Sequence, residues 1–235
     1  MSIENQWNLT PAEAIQLQKT LAKEVIRTDE FYDIKYVAGV DVGFEDDGRT
    51  TRAAVCVMDQ ETLVPIEAIV AKINTRFPYI PGLLSFRETP AIMIALNALT
   101  IRPDLLLCDG HGYAHPRRFG IACHLGLETD IASIGVGKTL FVGRFDNTPK
   151  KRGEWEALKD KDETIGAVLC TRNNVKPIFI SSGHKICLAT AITSVLDSCS
   201  KYRLPEPIRF ADKIASRRPS FNAETLKVKT IDKRI

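Results

Sequence analysis

Asp41 interrupts the apolar run Tyr36-Val37-Ala38-Gly39-Val40-Asp41-Val42-Gly43-Phe44, and Asp109 ends another, Leu105-Leu106-Leu107-Cys108-Asp109-Gly110. Glu88 sits in Ser85-Phe86-Arg87-Glu88-Thr89-Pro90, and Asp212 in Ile208-Arg209-Phe210-Ala211-Asp212-Lys213-Ile214-Ala215. A carboxylate in apolar surroundings is costly unless it is paired or coordinates a metal. If folding brings these four acids together, they form a cluster of oxygen ligands suited to Mg²⁺. Such a cluster is the working part of metal-dependent phosphodiester chemistry.

Each acid also has a plainer reading. Gly39 and Gly43 flank Asp41 and leave room for a ligand or a second backbone; the alternative is a strand-end Asp bonded to nearby amides. Asp109 opens Asp109-Gly110-His111-Gly112 directly after an apolar strand, where α/β sheets place their chemistry. It also suits the first position of a tight turn. Ser85-x-x-Glu88 matches a capping box. However, Pro90 disfavours helical geometry at Thr89, so a helix is predicted to start after Glu88 and leave its carboxylate free. With Pro207 opening a helix, Ile208, Ala211 and Ala215 share one face, and Asp212 falls on that core-facing stripe. The alternative is an edge position that reaches water.

Other stretches offer partners for a nucleic acid. Phe77-Pro78-Tyr79-Ile80-Pro81-Gly82 is a stiff loop whose side chains could wedge into a base stack, or a rigid turn packed on the core. His115-Pro116-Arg117-Arg118 puts two guanidiniums beside the glycine loop, suited to phosphate. Gly135-Val136-Gly137-Lys138-Thr139 looks like the end of a nucleotide-binding P-loop. The first glycine of that motif would be Ala132, so the NTP-binding reading fails. Lys138 remains either a phosphate-binding point charge or a surface lysine. Asp41-Val42-Gly43 resembles the phosphate loop of actin-like phosphotransferases, but that architecture needs two large lobes, and 235 residues are too few.

Composition sets the frame. At 235 residues one domain with a full core is expected, spanning 1–235. The apolar share of 44% and charged share of 26% are ordinary for a soluble protein. No run of eighteen apolar residues occurs, so no membrane span is expected. Met1 to Pro11 carries no basic segment followed by an apolar one, so no secretion signal is read. The six cysteines form no Cys-x-x-Cys pair and lie mostly in apolar runs, as reduced thiols of a cytoplasmic protein would. A zinc site from Cys123, His124, His111 and His115 fits no common ligand spacing. Net charge is only +3, yet the stretch from Arg217 to Ile235 has six Lys or Arg and two acids. That basic tail is read as a frayed terminus or a phosphate-binding arm.

The elements that must position these residues follow from periodicity and turn chemistry. A helix is predicted over 11–28, with Thr10 as N-cap and Pro11 at N1. Strands over 36–44, 52–58 and 65–73 have short connections and form an antiparallel meander. A helix over 90–100 is capped by Thr89, and a buried strand covers 104–108. A helix at 120–127 and a strand at 131–136 follow, and 144–163 reads as a charged, irregular excursion. Strands at 165–171 and 177–181 precede helices at 185–200 and 206–216. A meander followed by alternating helices and strands implies an α/β protein with a mixed central sheet flanked by helices, an order that suits a ribonuclease H-like fold.

Read together, these motifs resemble the endonuclease V family, the nucleases for deaminated bases. The stretches that carry the resemblance are 38–44, Pro78-Tyr79-Ile80-Pro81-Gly82 running into Ser85-Phe86-Arg87-Glu88, Asp109-Gly110-His111-Gly112 and His115-Pro116-Arg117-Arg118. Ile134-Gly135-Val136 with Lys138, Ser182-Gly183-His184 and Tyr202-Arg203-Leu204-Pro205-Glu206-Pro207 complete them in family order. The resemblance implies Mg²⁺- or Mn²⁺-dependent cleavage at the second phosphodiester 3′ to hypoxanthine, the base of inosine, leaving 3′-hydroxyl and 5′-phosphate ends. It implies a DNA-repair role, with inosine-bearing RNA as an alternative substrate; a monomer is expected, though the sequence does not fix the oligomeric state. Carried over by position, Asp41, Glu88 and Asp109 are metal ligands. Asp212 is the fourth, at a place where family members carry His or Asp. Lys138 and His115 lie near the scissile phosphate. Tyr79, between Pro78 and Ile80, belongs to the strand-separating wedge. The loops around Gly82, Gly110, His111, Gly112 and Gly135 hold the extruded base. The excursion at 144–163 and the tail beyond Arg218 match no family motif.

Overall fold

The computed structural model describes residues 7–217, 226 and 228–234. Helix α1 (Pro11–Leu21) opens on Thr10, whose hydroxyl accepts from the Glu13 amide while the Glu13 carboxylate accepts from Thr10, a complete capping box with Pro11 next in line. The helix ends seven residues before the predicted residue 28, and the chain then turns away.

Strands β1 (Tyr36–Glu45), β2 (Thr50–Asp59) and β3 (Pro65–Asn74) form the predicted antiparallel meander. Then come α2 (Leu84–Leu96), β4 (Leu105–Asp109), α3 (Ile121–Thr129) and β5 (Ala132–Gly137). Strands β6 (Trp155–Asp160), β7 (Glu163–Leu169) and β8 (Ile178–His184) follow, then α4 (Leu188–Asp197), α5 (Glu206–Ala215) and β9 (Val228–Asp232). Among the described residues nine strands form one sheet, in the order β6-β7-β8-β5-β4-β1-β2-β3-β9. β1 is parallel to β4, β4 to β5 and β3 to β9; the remaining pairs are antiparallel.

Alternation along each strand splits the core between two faces. Val37, Leu105, Leu107 and Ile134 pack under α4 and α5. Ala38, Val40, Leu106 and Cys108 pack under α2 and α3. This mixed sheet with helices on both faces is the ribonuclease H-like arrangement. The six cysteines are unpaired and five are buried. Among the described residues no helix is long and apolar enough to cross a membrane.

Three expectations are corrected. α2 begins at Leu84, not Pro90, and Pro90 lies inside it. The ring removes one helical N–H, but the earlier start carries Phe86 into a cluster with Trp7, Phe77 and Leu83. It also lays Ala91, Ile92 and Ala95 on the sheet. Ser85 therefore caps nothing for Glu88; its hydroxyl pairs with His124 Nδ1 at 3.0 Å. The excursion at 144–163 contains β6, an edge strand whose only fully buried residue is Leu158, so its sequence lacks the apolar signature of a core strand. The helix expected over 185–200 is shorter: α4 runs from Leu188 to Asp197, capped by Cys187. Of the basic tail, residues 228–232 extend the sheet beside β3.

Candidate active site

Two acids are placed by strand register alone. β1 and β4 are parallel, with Gly39 opposite Leu107 and Val40 opposite Cys108. Asp41 and Asp109 each lie one residue past the last of these pairs. Since side chains alternate, both leave the sheet on the side of Gly39 and Leu107. β1 and β4 are also where the chain order reverses, from β1-β2-β3 on one side to β4-β5 on the other. The carboxyl ends of parallel strands at such a switch point form a crevice in α/β sheets.

Helix α5 brings the third acid over the same face. Its backbone presses so close that a Cβ on Gly39 would stand 1.9 Å from the Pro207 carbonyl oxygen, and one on Gly43 2.8 Å from that of Ala215. The room left by these glycines is therefore filled by a helix backbone. Ile208, Ala211 and Ala215 are buried as the spacing requires, and Asp212 is half-buried beside them. Glu88 arrives from the opposite face, on the second turn of α2.

Electrostatics joins the four. Burial raises the Asp41 carboxyl well above its ordinary range; the negative field of Asp109 raises it further, and Asp212 adds to it, while Lys138 opposes. Burial likewise pushes Glu88 up to about 8, with Asp109 as the second cause. Lys138 leaves the end of β5 and its ammonium pairs with Asp109 Oδ2. Burial alone would lower that ammonium's pKa, but Asp109, Asp41 and Asp212 outweigh it and hold it raised. Among the described residues no three acid, imidazole or thiol side chains already stand as a ready-made metal cage. The donor chemistry nonetheless fits a hard divalent cation: oxygen ligands only, part-buried, with the Asp41 and Glu88 carboxyls raised by burial and by the charge of Asp109.

A cavity of about 300 Å³ adjoins the acids, within the size range of small-ligand sites. Glu88, Asp109, Gly110, His111, His115 and Gly82 line it, as does Tyr79, a residue 68% exposed. Pro78 is exposed as well, whereas Ile80 packs toward Trp7 and Phe77. Gly112 and Gly135 lie behind the lining, against each other: a Cβ on Gly135 would meet the Gly112 nitrogen at 2.2 Å. The two guanidiniums already have protein partners. Arg117 donates to Gly82 and Gln18, and Arg118 to Glu163 and Asp160 at 2.8 Å each. His115 is buried, its pKa lowered to about 3 chiefly by that burial.

Sequence reasoning missed Gln18, Ser85, Ile121, Leu140 and Phe141, which also line the cavity. Phe141 stacks on His111 with centroids 5.6 Å apart and lies 5.5 Å from His115. Leu140 and Phe141 stand two and three residues after Lys138, and an apolar pair so close to that lysine was the available signal; the structure leaves them 45% and 40% exposed. Gln18 had none, since a glutamine on an amphipathic helix reads as its wet side.

Residues 19–213 match the Endonuclease V family. An Endonuclease V of Rippkaea orientalis is 53% identical over 204 residues, covering 87% of this chain and 89% of its own. One of Trichormus variabilis is 53% identical over 213 residues, covering 90% and 96%. The crystal structure of Endonuclease V from Streptomyces avermitilis superposes with a TM-score of 0.85 at 39% identity, covering 90% of this chain and 93% of that one. A Ciona intestinalis Endonuclease V, solved in complex with a 24mer DNA containing an inosine followed by a ribo-adenosine, gives a TM-score of 0.78 at 29% identity, covering 88% and 96%.

Proposed function

The chain belongs to the endonuclease V family, and on that premise we propose that it is a divalent-metal-dependent endonuclease acting on deaminated bases in nucleic acid, with hypoxanthine the base recognised. The observation that carries this reading is a shared wall: Glu88 and Asp109 belong both to the acidic group and to the lining of the cavity. Base recognition and phosphodiester chemistry would then occur side by side.

Asp41, Glu88 and Asp109, with Asp212 as the fourth, would hold Mg²⁺ or Mn²⁺. The bound ion would supply Lewis-acid stabilisation and a nucleophilic water at neutral pH. The chain's own residues do the rest. The Tyr79 loop separates the strands, and the target base swings into the cavity. That extrusion costs a few kcal/mol and least at a mismatched base. Helix α2 starts beside the cavity at Leu84 with no side-chain cap, leaving backbone N–H donors to read a base edge. Hypoxanthine offers them a carbonyl, whereas adenine offers an amine that would stay unpaired. Lys138 holds positive charge at Asp109, where the phosphate charge must be balanced.

The cut falls at the second phosphodiester 3′ to the lesion, with 3′-hydroxyl and 5′-phosphate products; family membership supports this part. The substrate is inosine-containing DNA in a repair role, the ligand class of the Ciona relative's complex. The test is cleavage of matched DNA and RNA strands carrying one inosine, with Mg²⁺ and with EDTA, followed by mapping of the ends. Metal-dependent nicking one nucleotide beyond the lesion is expected. Cleavage that survives EDTA, or that ignores inosine, would sink the assignment.

A further inference from the structure

The wall of the cavity contains a polar hub that the nuclease reading leaves unused. Gln18 lies on α1, outside every motif discussed above, yet it is only 1% exposed. Its Nε2 donates to the carbonyls of Gly82 and Phe119, both at 3.0 Å, and its Oε1 accepts from Arg117 Nε at 2.6 Å. Both N–H donors are used, so a flipped amide would set its oxygen against two carbonyls; the orientation is forced.

The Gly82 carbonyl is the focus of the hub. Besides Gln18 it receives Arg117 at 2.7 Å and faces His115 Nε2 at 3.1 Å. The Arg117 backbone N–H donates to His115 Nδ1 at 3.2 Å, so the neutral ring carries its proton on Nε2 and becomes a third donor. Gly82 adopts φ +81°, a conformation that L side chains rarely take. It stands between the wedge loop Pro78-Tyr79-Ile80-Pro81 and the start of α2, which carries Glu88. The peptide plane at this junction is thus held by three side chains from two distant elements.

We propose that Gln18 is a positioning residue for lesion recognition: by locking the Gly82 peptide it joins the wedge loop and the base pocket into one rigid wall. The proposal rests on the nuclease reading above. Anchoring α1 does not require this amide. The helix already packs through Ala14, with Trp7, Phe77, Leu83 and Phe86 in the same cluster. A buried amide is tolerable only with its hydrogen bonds made, and all of those seen here go to the junction and to the loops that line the cavity.

The experiment compares wild type with Gln18→Leu and Gln18→Glu in steady-state cleavage of an inosine duplex and of its adenosine counterpart. The leucine keeps volume and removes all three bonds. The glutamate still accepts from Arg117 but donates to neither carbonyl. Both should raise KM about tenfold with kcat changed by less than about twofold, and lower the inosine-over-adenosine ratio of kcat/KM. A loss of stability alone would not move KM or that ratio. A folded variant with unchanged KM, or with loss confined to kcat, overturns the proposal. Wild type that fails to nick inosine DNA would instead defeat the nuclease reading. Should both variants fail to fold, the side-chain ¹⁵N–H₂ signals of wild-type Gln18 decide, titrated in EDTA with an inosine oligonucleotide and with its adenosine counterpart. A shift with inosine only supports the proposal; equal response or none overturns it.

Discussion

A carboxylate at a buried strand end gives up hydration, and Asp41 is penalised further because Asp109 lies in the neighbouring register and Asp212 overhead. Asp41→Asn keeps the shape and removes one of the repelling charges. Nicking should fall by at least about a thousandfold, equivalent to about 4 kcal/mol of barrier. The metal-free variant should melt no lower than wild type, as thermal denaturation will show. Glu88 gives a pH signature. Its carboxyl rises from an ordinary 4.5 to about 8 on folding, so between those values the folded state binds the extra proton. In EDTA its contribution to stability is therefore fully present at acid pH and is lost as pH rises through about 8. Urea unfolding at about pH 5 and about pH 8 should show this loss in wild type and a shallower one in Glu88→Gln.

Elements decide where these side chains stand, and α5 is the most tightly constrained. With the Pro207 carbonyl oxygen 1.9 Å from where a Cβ would be, Gly39→Ala must push the helix off β1. A cost of about 3 kcal/mol in urea unfolding is expected, at the upper end for overpacking. Cleavage should fall as well, because α5 carries Asp212. A second element device sits at the end of β5. One nitrogen of Arg203 donates to the carbonyls of Lys138 and Pro177, both at 2.8 Å, just where the β5–β8 ladder ends at Gly137 and Phe179. Arg203→Met should free the exit of Lys138 and lower kcat more than it raises KM, again read from steady-state cleavage. At this scale the sequence was legible wherever pattern and burial agreed. The meander, β4, β5 and α5 fall within a residue or two of their predicted bounds. It was misread at α2, where packing of Phe86 and Ile92 overrode Pro90, and at β6, whose exposed edge needs no apolar alternation.

Across the whole molecule the site is a meeting of two helical layers at one end of a single sheet. Asp41, Asp109 and the helix of Asp212 belong to one face, and Glu88 comes from the other. An ion bridging them would tie α5 and α2 to the ends of β1 and β4. Mg²⁺ should therefore raise the melting temperature of wild type and leave Asp109→Asn unmoved in a thermal-shift assay. The expected gain is about 2.7 kcal/mol at a hundredfold excess over Kd. The sequence by itself determined the four acids, the stiff loop from Pro78 to Gly82, the family and the alternation of side chains along each strand, because these depend on residue type and on neighbours along the chain. The tertiary structure alone decided that Glu88 rides inside a helix, that Gly39 and Gly43 receive a helix backbone, and that Gln18 holds the pocket wall. Those facts depend on contacts between segments far apart in the chain, Gly39 with Pro207 and Gln18 with Phe119 among them, whose energies no local pattern encodes.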